Sequence, residues 1–212
     1  MSEDHVDPML LHAWLSARSL ARRLPAPVPD RGGFRVDTNS AGEVRRWVFP
    51  KLDSCLVDVA RTIRAPRTFL KCCTAAGDLR GALSGRWQLH AQAYFMIAEG
   101  DWSPRSVPQG YALEVEQADG VSQVRVWAGP NNLAASGYAA ETGNAFIYDR
   151  IVTAPGHRRR GLAAAVMTAL HRQRQNTDIP QLLVATEDGR ALYRCLGWRI
   201  LSPYSTASLA EV

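Results

Sequence analysis

The residues best placed to do chemistry stand in one run, Asp149 to Ala163. Tyr148 to Thr153 reads as an extended apolar strand, Ala154-Pro155-Gly156-His157 as a turn, and Arg158-Arg159-Arg160-Gly161-Leu162-Ala163 as the start of a helix. The first four N–H groups of a helix have no internal acceptor, and the helix dipole adds positive potential at that end. An anion is therefore welcome there. Gly161 lets a phosphate come close to the backbone, while three guanidiniums offer paired donors that match phosphate oxygens, so the chemistry is pyrophosphate binding. The helix is supported by Leu162, Val166, Ala169 and Leu170 at three- and four-residue spacing and by Arg172 and Arg174 near its C-terminal end. Asn176-Thr177-Asp178 and Pro180 end it. Three arginines before a helix also suit a plain solvated turn, so the downstream sequence has to decide.

Downstream, Gln181 to Thr186 reads as a buried strand and Asp188 to Leu196 as a short helix closed by Gly197. Trp198 to Leu201 opens a further strand. Two signatures now stand in order: Arg158-x-x-Gly161-x-Ala163, then Leu192-Tyr193 followed by Leu196-Gly197-Trp198. On these motifs the chain resembles the GCN5-related N-acetyltransferase (GNAT) superfamily. The resemblance implies an α+β, mixed α/β fold whose C-terminal domain has a central, mostly antiparallel sheet flanked by helices. It also implies acetyl-CoA as acyl donor and transfer of the acetyl group to a primary amine.

Carried over residue by residue, the resemblance gives Ile151, Val152 and Thr153 the strand end whose main chain pairs with pantetheine and faces the thioester carbonyl. A backbone N–H there would stabilise the oxyanion formed on attack. Arg158, Arg159, Arg160, Gly161, Leu162 and Ala163 become the pyrophosphate turn. Tyr193 matches the tyrosine that protonates the departing thiolate, against the plain alternative of a packed ring with a wet hydroxyl. Thr186 stands where relatives often carry asparagine, which leaves its cofactor contact open. The general base is open among Asp149, Glu141 and Glu187, with Asp149 preferred on position. Strand alternation groups Asp149 with Ile147, Ile151 and Thr153, apart from Phe146, Tyr148 and Val152. An apolar setting on that face would raise its pKa, and an ion pair with Arg150 or another arginine is the competing reading. His157 and His171 read as solvent-facing helix-end residues.

With 46% hydrophobic and 21% charged residues over 212 positions, the chain has enough apolar sequence for a sizeable core. Its net charge of +5 comes almost wholly from arginine, since Lys51 and Lys71 are the only lysines. That surplus suits the phosphates of CoA. Nucleic acid has charge alone in its favour, because no helix-turn-helix, zinc spacing or aromatic-basic alternation accompanies it. A non-catalytic acyl-CoA-binding module is the other alternative, although it would have no need of Tyr193. Cys55, Cys72, Cys73 and Cys195 lack metal spacing and read as small apolar core residues of a reducing compartment. With an acidic start (Met1 to Asp4) and no long apolar run, a cytoplasmic protein is expected, and no metal.

The elements that must position these residues fall into two stretches. The expected catalytic domain, residues 109–206, opens with strands at Tyr111 to Glu116 and Val121 to Ala128 around Ala118-Asp119-Gly120, then Leu133 to Glu141. Residues 1–100 are expected to form an α/β region. It has helices at Leu11 to Arg23, Glu43 to Val48 and Asp53 to Ile63, strands at Phe34 to Val36 and Thr68 to Cys72, a short helix at Asp78 to Leu83, and a strand at Ala93 to Ile97. The order in Phe69 to Leu89 echoes Leu182 to Leu201, so this region also reads as a degenerate GNAT-like half without the Arg-x-x-Gly turn. The catalytic domain lacks the two helices that usually wall the family's acceptor groove. Residues of the N-terminal region or of a partner subunit are expected to supply that wall, with Trp102 and Trp127 as lining candidates and a monomer or homodimer as the assembly.

Overall fold

A computed structural model describes residues 6–100 and 104–209, so Trp102 and the chain start lie outside the described residues. The chain order is α1 (Pro8–Ala21), β1 (Val28–Asp30), β2 (Gly33–Asp37), β3 (Arg45–Phe49), α2 (Ser54–Thr62), β4 (Thr68–Cys72), α3 (Ala76–Ala82), β5 (Trp87–Leu89) and β6 (Ala93–Ala98). It continues with β7 (Ala112–Ala118), β8 (Val121–Trp127), β9 (Leu133–Thr142), β10 (Ala145–Thr153), α4 (Leu162–His171), β11 (Gln181–Thr186), α5 (Glu187–Cys195) and β12 (Trp198–Leu209). The result is the expected mixed α+β architecture with helices on a mostly antiparallel central sheet, ordered β1-β2-β3-β4-β12-β6-β11-β10-β9-β8-β7. Among the described residues only β3 with β4 and β10 with β11 run parallel, and each of these pairs is joined through a helix.

Two strands cross between the stretches. β6 lies between β11 and the first part of β12, from Trp198 to Tyr204. The rest of β12, Ser205 to Leu209, lies between β4 and β5. Each stretch thus completes the sheet of the other. Beneath the sheet, Phe146, Tyr148, Val166, Leu170 and Trp198 form one core with α4 and α5. On the opposite face Leu11, Trp14 and Leu15 of α1 pack on Ile147, Leu182, Phe95 and Tyr204. A third core joins Trp47, Leu56, Leu70 and Trp87 to Ala207 and Leu209 of β12.

Two sequence expectations fail for stated reasons. Glu43 to Val48 does not form a helix, because Arg45–Phe49 is a strand held between β2 and β4. Trp47, Val48 and Phe49 all become buried there, and such bulky residues suit a pleated interior. Of the four cysteines, all free, Cys72 and Cys73 are buried while Cys55 and Cys195 are exposed. Cys55 falls off the apolar stripe of α2, made by Leu56, Val59 and Ala60, and therefore cannot join the core.

The exchange of strands predicts unfolding as one unit. Denaturant curves followed by tryptophan fluorescence and by far-ultraviolet circular dichroism should coincide. Two separated transitions would show that residues 6–100 can melt while the remainder stays folded.

Candidate active site

The site begins where two parallel strands part. β10 and β11 pair only at Phe146 with Gln181 and Ile147 with Leu182, and beyond those residues they diverge. A cavity of about 250 Å³ fills the gap, walled by Tyr148 to Ile151 on one side, Leu183 to Thr186 and Tyr193 on the other, and Trp14, Arg18 and Arg22 of α1 above. The N-terminal region therefore contributes to this cavity through α1. Asp7 starts that helix by accepting from the Met9 N–H, with Pro8 in its first turn. Trp127 does not line the cavity, since its indole donates to Glu114 on the outer β7–β8 ribbon.

Local backbone geometry re-sorts the expected faces of β10. Arg150 has φ +54°, and the pairing with β9 jumps from Asp149–Tyr138 to Val152–Ser136. The extra residue is a β-bulge, which reverses the alternation beyond it. Ile151 therefore joins the α4 core with Phe146 and Tyr148 instead of sharing the Asp149 face. Opposite the bulge sits Gly137, where a Cβ would stand 2.4 Å from Ile151 Cδ1 and 2.7 Å from Val166 Cγ1, so close packing of α4 requires glycine. Val152, 57% exposed, and Thr153 keep their backbone at the outer end of the gap.

The basic turn follows directly on β10, at the end of the strand that diverges from β11. Pro155–His157 form one 3₁₀ turn, Arg159 has φ +63° and Gly161 has φ +79°, with no side chain capping the start of α4. Residues of alternating hand turn successive N–H groups into one concavity, a ready anion seat. Arg158 donates to the Thr153 carbonyl at 3.4 Å. Arg160 donates to the Tyr111 hydroxyl at 3.1 Å, and that hydroxyl meets His157 Nδ1 at 3.0 Å. Tyr111 and His157 thus orient the turn, a role the sequence did not signal because 46 residues separate them. Leu162 is buried and Ala163 half-buried, so at these two positions the side chains face the protein. The start of α2, the matching parallel crossover, is already occupied: Asp53 accepts from the Leu56 N–H.

Around the cavity the charges are arranged unequally. Asp149, whose side chain is 10% exposed, accepts from both Nε (2.6 Å) and Nη2 (2.8 Å) of Arg22, with Arg150 at 3.3 Å and Arg18 at 3.8 Å. Burial alone would raise its pKa, but hydrogen bonding to Arg22 and the charges of Arg18, Arg22 and Arg150 outweigh burial and hold it below the usual carboxylate range. The raised value expected for a free base is not found. Tyr193, 7% exposed, has its phenol pushed well up by burial, then by Asp149, and keeps its proton at neutral pH. Glu141 lies elsewhere, accepting from the Gln175 and Asn176 N–H groups. Glu187 lies outside the cavity, where a hydrogen bond from Tyr94 lowers its pKa. Thr186 caps α5, accepting from Gly189. His171 is half-buried against Gln181 and Tyr148 instead of facing solvent.

No family model matches the sequence, and neither does any curated protein. Solved structures do match. A GCN5-related N-acetyltransferase from Kribbella flavida is 14% identical with a TM-score of 0.65, over 93% of this chain and 95% of its own. An acetyltransferase of the GNAT family from Novosphingobium aromaticivorans is 15% identical with a TM-score of 0.59, over 98% of this chain and all of its own. A tandem GNAT protein from the clavulanic acid biosynthesis pathway is 13% identical with a TM-score of 0.56, over 100% and 97%. The fold is that of the GCN5-related N-acetyltransferases.

Replacing Asp149 by asparagine leaves the partly buried guanidiniums of Arg18 and Arg22 facing one another without their anion, and should cost on the order of 2 kcal/mol. The folded carboxyl titrates below its unfolded value near ~3.9, so its contribution is full above that pH and is lost as pH falls through the folded value. Urea midpoints of wild type and Asp149→Asn should therefore differ at pH 7 and converge toward pH 2. A constant gap down to that pH would contradict the ion-pair account.

Proposed function

We propose that the chain transfers an acetyl group from acetyl-CoA to a primary amine by direct attack. The observation that carries this reading is the uncapped, left-handed Arg159–Gly161 turn at the end of a strand gap lined by Tyr193. Pyrophosphate would take the N–H groups at the start of α4, with Arg158, Arg159 and Arg160 around it. Pantetheine would pair with the main chain of Ile151 to Thr153, aiming the thioester into the cavity. The amine nitrogen then attacks the carbonyl carbon, a main-chain N–H steadies the oxyanion, and the carbon–sulfur bond breaks. The Tyr193 phenol gives its proton to the departing sulfur.

Asp149 is an ionised, weak proton acceptor on this reading, and it takes the amine proton through water. Arg18, Arg22 and Arg150 outnumber it, and their field favours the neutral form of an incoming amine. A strong base is therefore unnecessary. Residues 1–100 form on this view a degenerate half whose own helix start is closed by Asp53, while residues 109–206 hold the cofactor. Acyl-CoA binding without transfer is the second reading, favoured by the engagement of Asp149 with Arg22.

Acetyl-CoA at ~100 times its dissociation constant should add about 2.7 kcal/mol of apparent stability, an increment lost in Gly161→Asp. No thermal shift in the wild type would sink the proposal. In a thiol-release assay with responsive amines, Tyr193→Phe should lower kcat by roughly 100-fold while leaving the KM for acetyl-CoA near its original value. A shift with no thiol release for any amine would leave the binding reading in possession.

A further inference from the structure

The guanidinium of Arg18 is only 15% exposed, lies 5.4 Å from the Trp14 ring centroid and lines the cavity. Its neighbours are differently engaged. Arg22 spends its fork on Asp149, and Arg150 donates to the Ala21 carbonyl while lying 3.7 Å from the Tyr138 ring centroid. Among the described residues Arg18 makes no hydrogen bond, and its one ionic contact is the 3.8 Å approach of Nε to Asp149. A guanidinium has five N–H donors and cannot shed its charge at neutral pH, so a largely buried one without acceptors is costly.

The surroundings enlarge the deficit. Three guanidiniums (Arg18, Arg22, Arg150) meet one carboxylate at the cavity wall. Arg46 adds its field from the N-terminal sheet, where Glu43 pairs with it. Burial, then Arg22 and Arg46, bring the Arg18 pKa down to about 10, which still leaves it charged. The Tyr204 hydroxyl, buried in the same field, also has no hydrogen-bond partner. Positive charge thus outnumbers negative at the cavity wall.

We propose that Arg18 is the docking residue for a carboxylate carried by the acceptor, which is therefore a free amino acid presenting its α-amino group to the thioester. A planar carboxylate matches the open guanidinium fork, and Trp14 fixes the plane of that fork from one side. Arg18 and Asp149 stand side by side, so a carboxylate and an amine joined through one carbon meet a cation and an anion at once. The amine of a protein N-terminus has no carboxylate at that distance and would leave Arg18 unmet. The inference rests on the acetyl-transfer reading, and it adds the class of acceptor.

The test is thiol release from acetyl-CoA with the amino acids, each beside its carboxamide, and with phosphoethanolamine as a phosphate-bearing amine. The wild type should prefer the best amino acid over its carboxamide by roughly 10- to 100-fold in kcat/KM, the worth of a charge-assisted pair. Arg18→Gln should bring that preference to within about 3-fold by raising the amino-acid KM, and Arg18→Lys should restore part of it, both keeping the wild-type thermal shift with acetyl-CoA. Equal use of carboxamides, preference for phosphoethanolamine, or an Arg18→Gln loss falling alike on acids and amides would overturn the assignment. If acetyl-CoA gives no thermal shift, the transfer reading fails separately, and calorimetric titration of the same amino acids into wild type and Arg18→Gln decides the carboxylate site. Binding by the wild type alone supports it, and no binding by the wild type removes it.

Discussion

One carboxylate holds the α1 side of the cavity together. Asp149 sits where β10 leaves β11, and its two oxygens fasten α1 to the motif strand through the fork of Arg22. Without that tie α1 would keep its apolar contacts through Leu11, Trp14 and Leu15, but the basic end of the helix would have no fixed position over the gap. The bulge at Arg150 depends on the same neighbourhood, because Arg150 reaches both Asp149 and the Ala21 carbonyl at the end of α1. Helix position, strand divergence and cavity shape are therefore one coupled arrangement.

The two parallel crossovers show how a small change at a helix start decides what it can bind. Both α2 and α4 connect parallel neighbours and point unsatisfied N–H groups along the sheet. At α2 the chain supplies its own anion in Asp53, which satisfies one donor and repels any other negative group. At α4 glycine stands in the same place and leaves the donors open. The two starts differ in backbone as well, extended at Asp53 and left-handed at Gly161, and their electrostatic outcomes are opposite.

Much of this was legible because it is local. The Arg158–Ala163 turn and the Leu192–Trp198 helix exit are short patterns in which residue type follows from the backbone required, and both stand where they were read. Strand β3 was misread because Glu43 to Val48 carries charged residues at helical spacing, while its partners β2 and β4 are what commit it. The side assignment of Ile151 failed for a similar reason, since alternation cannot see an inserted residue until the opposing strand is known. The part played by α1 left no trace in any window of sequence: Arg22 and Asp149 are 127 residues apart. The depressed pKa of Asp149 followed from that same unseen contact.

The interleaving of β6 and β12 also bears on how the chain comes to be made. β4, β5 and β6 all take β12 as a neighbour, yet β12 is synthesised after the other eleven strands. As the nascent chain lengthens, these three strands must wait with a hydrogen-bonding edge bare, and a bare edge is the surface through which unfinished proteins stick to one another. A ribosome that stalls before Trp198 would leave all three without that partner at once, and chaperone protection during that interval would matter more here than in a protein whose strands pair in the order they are made.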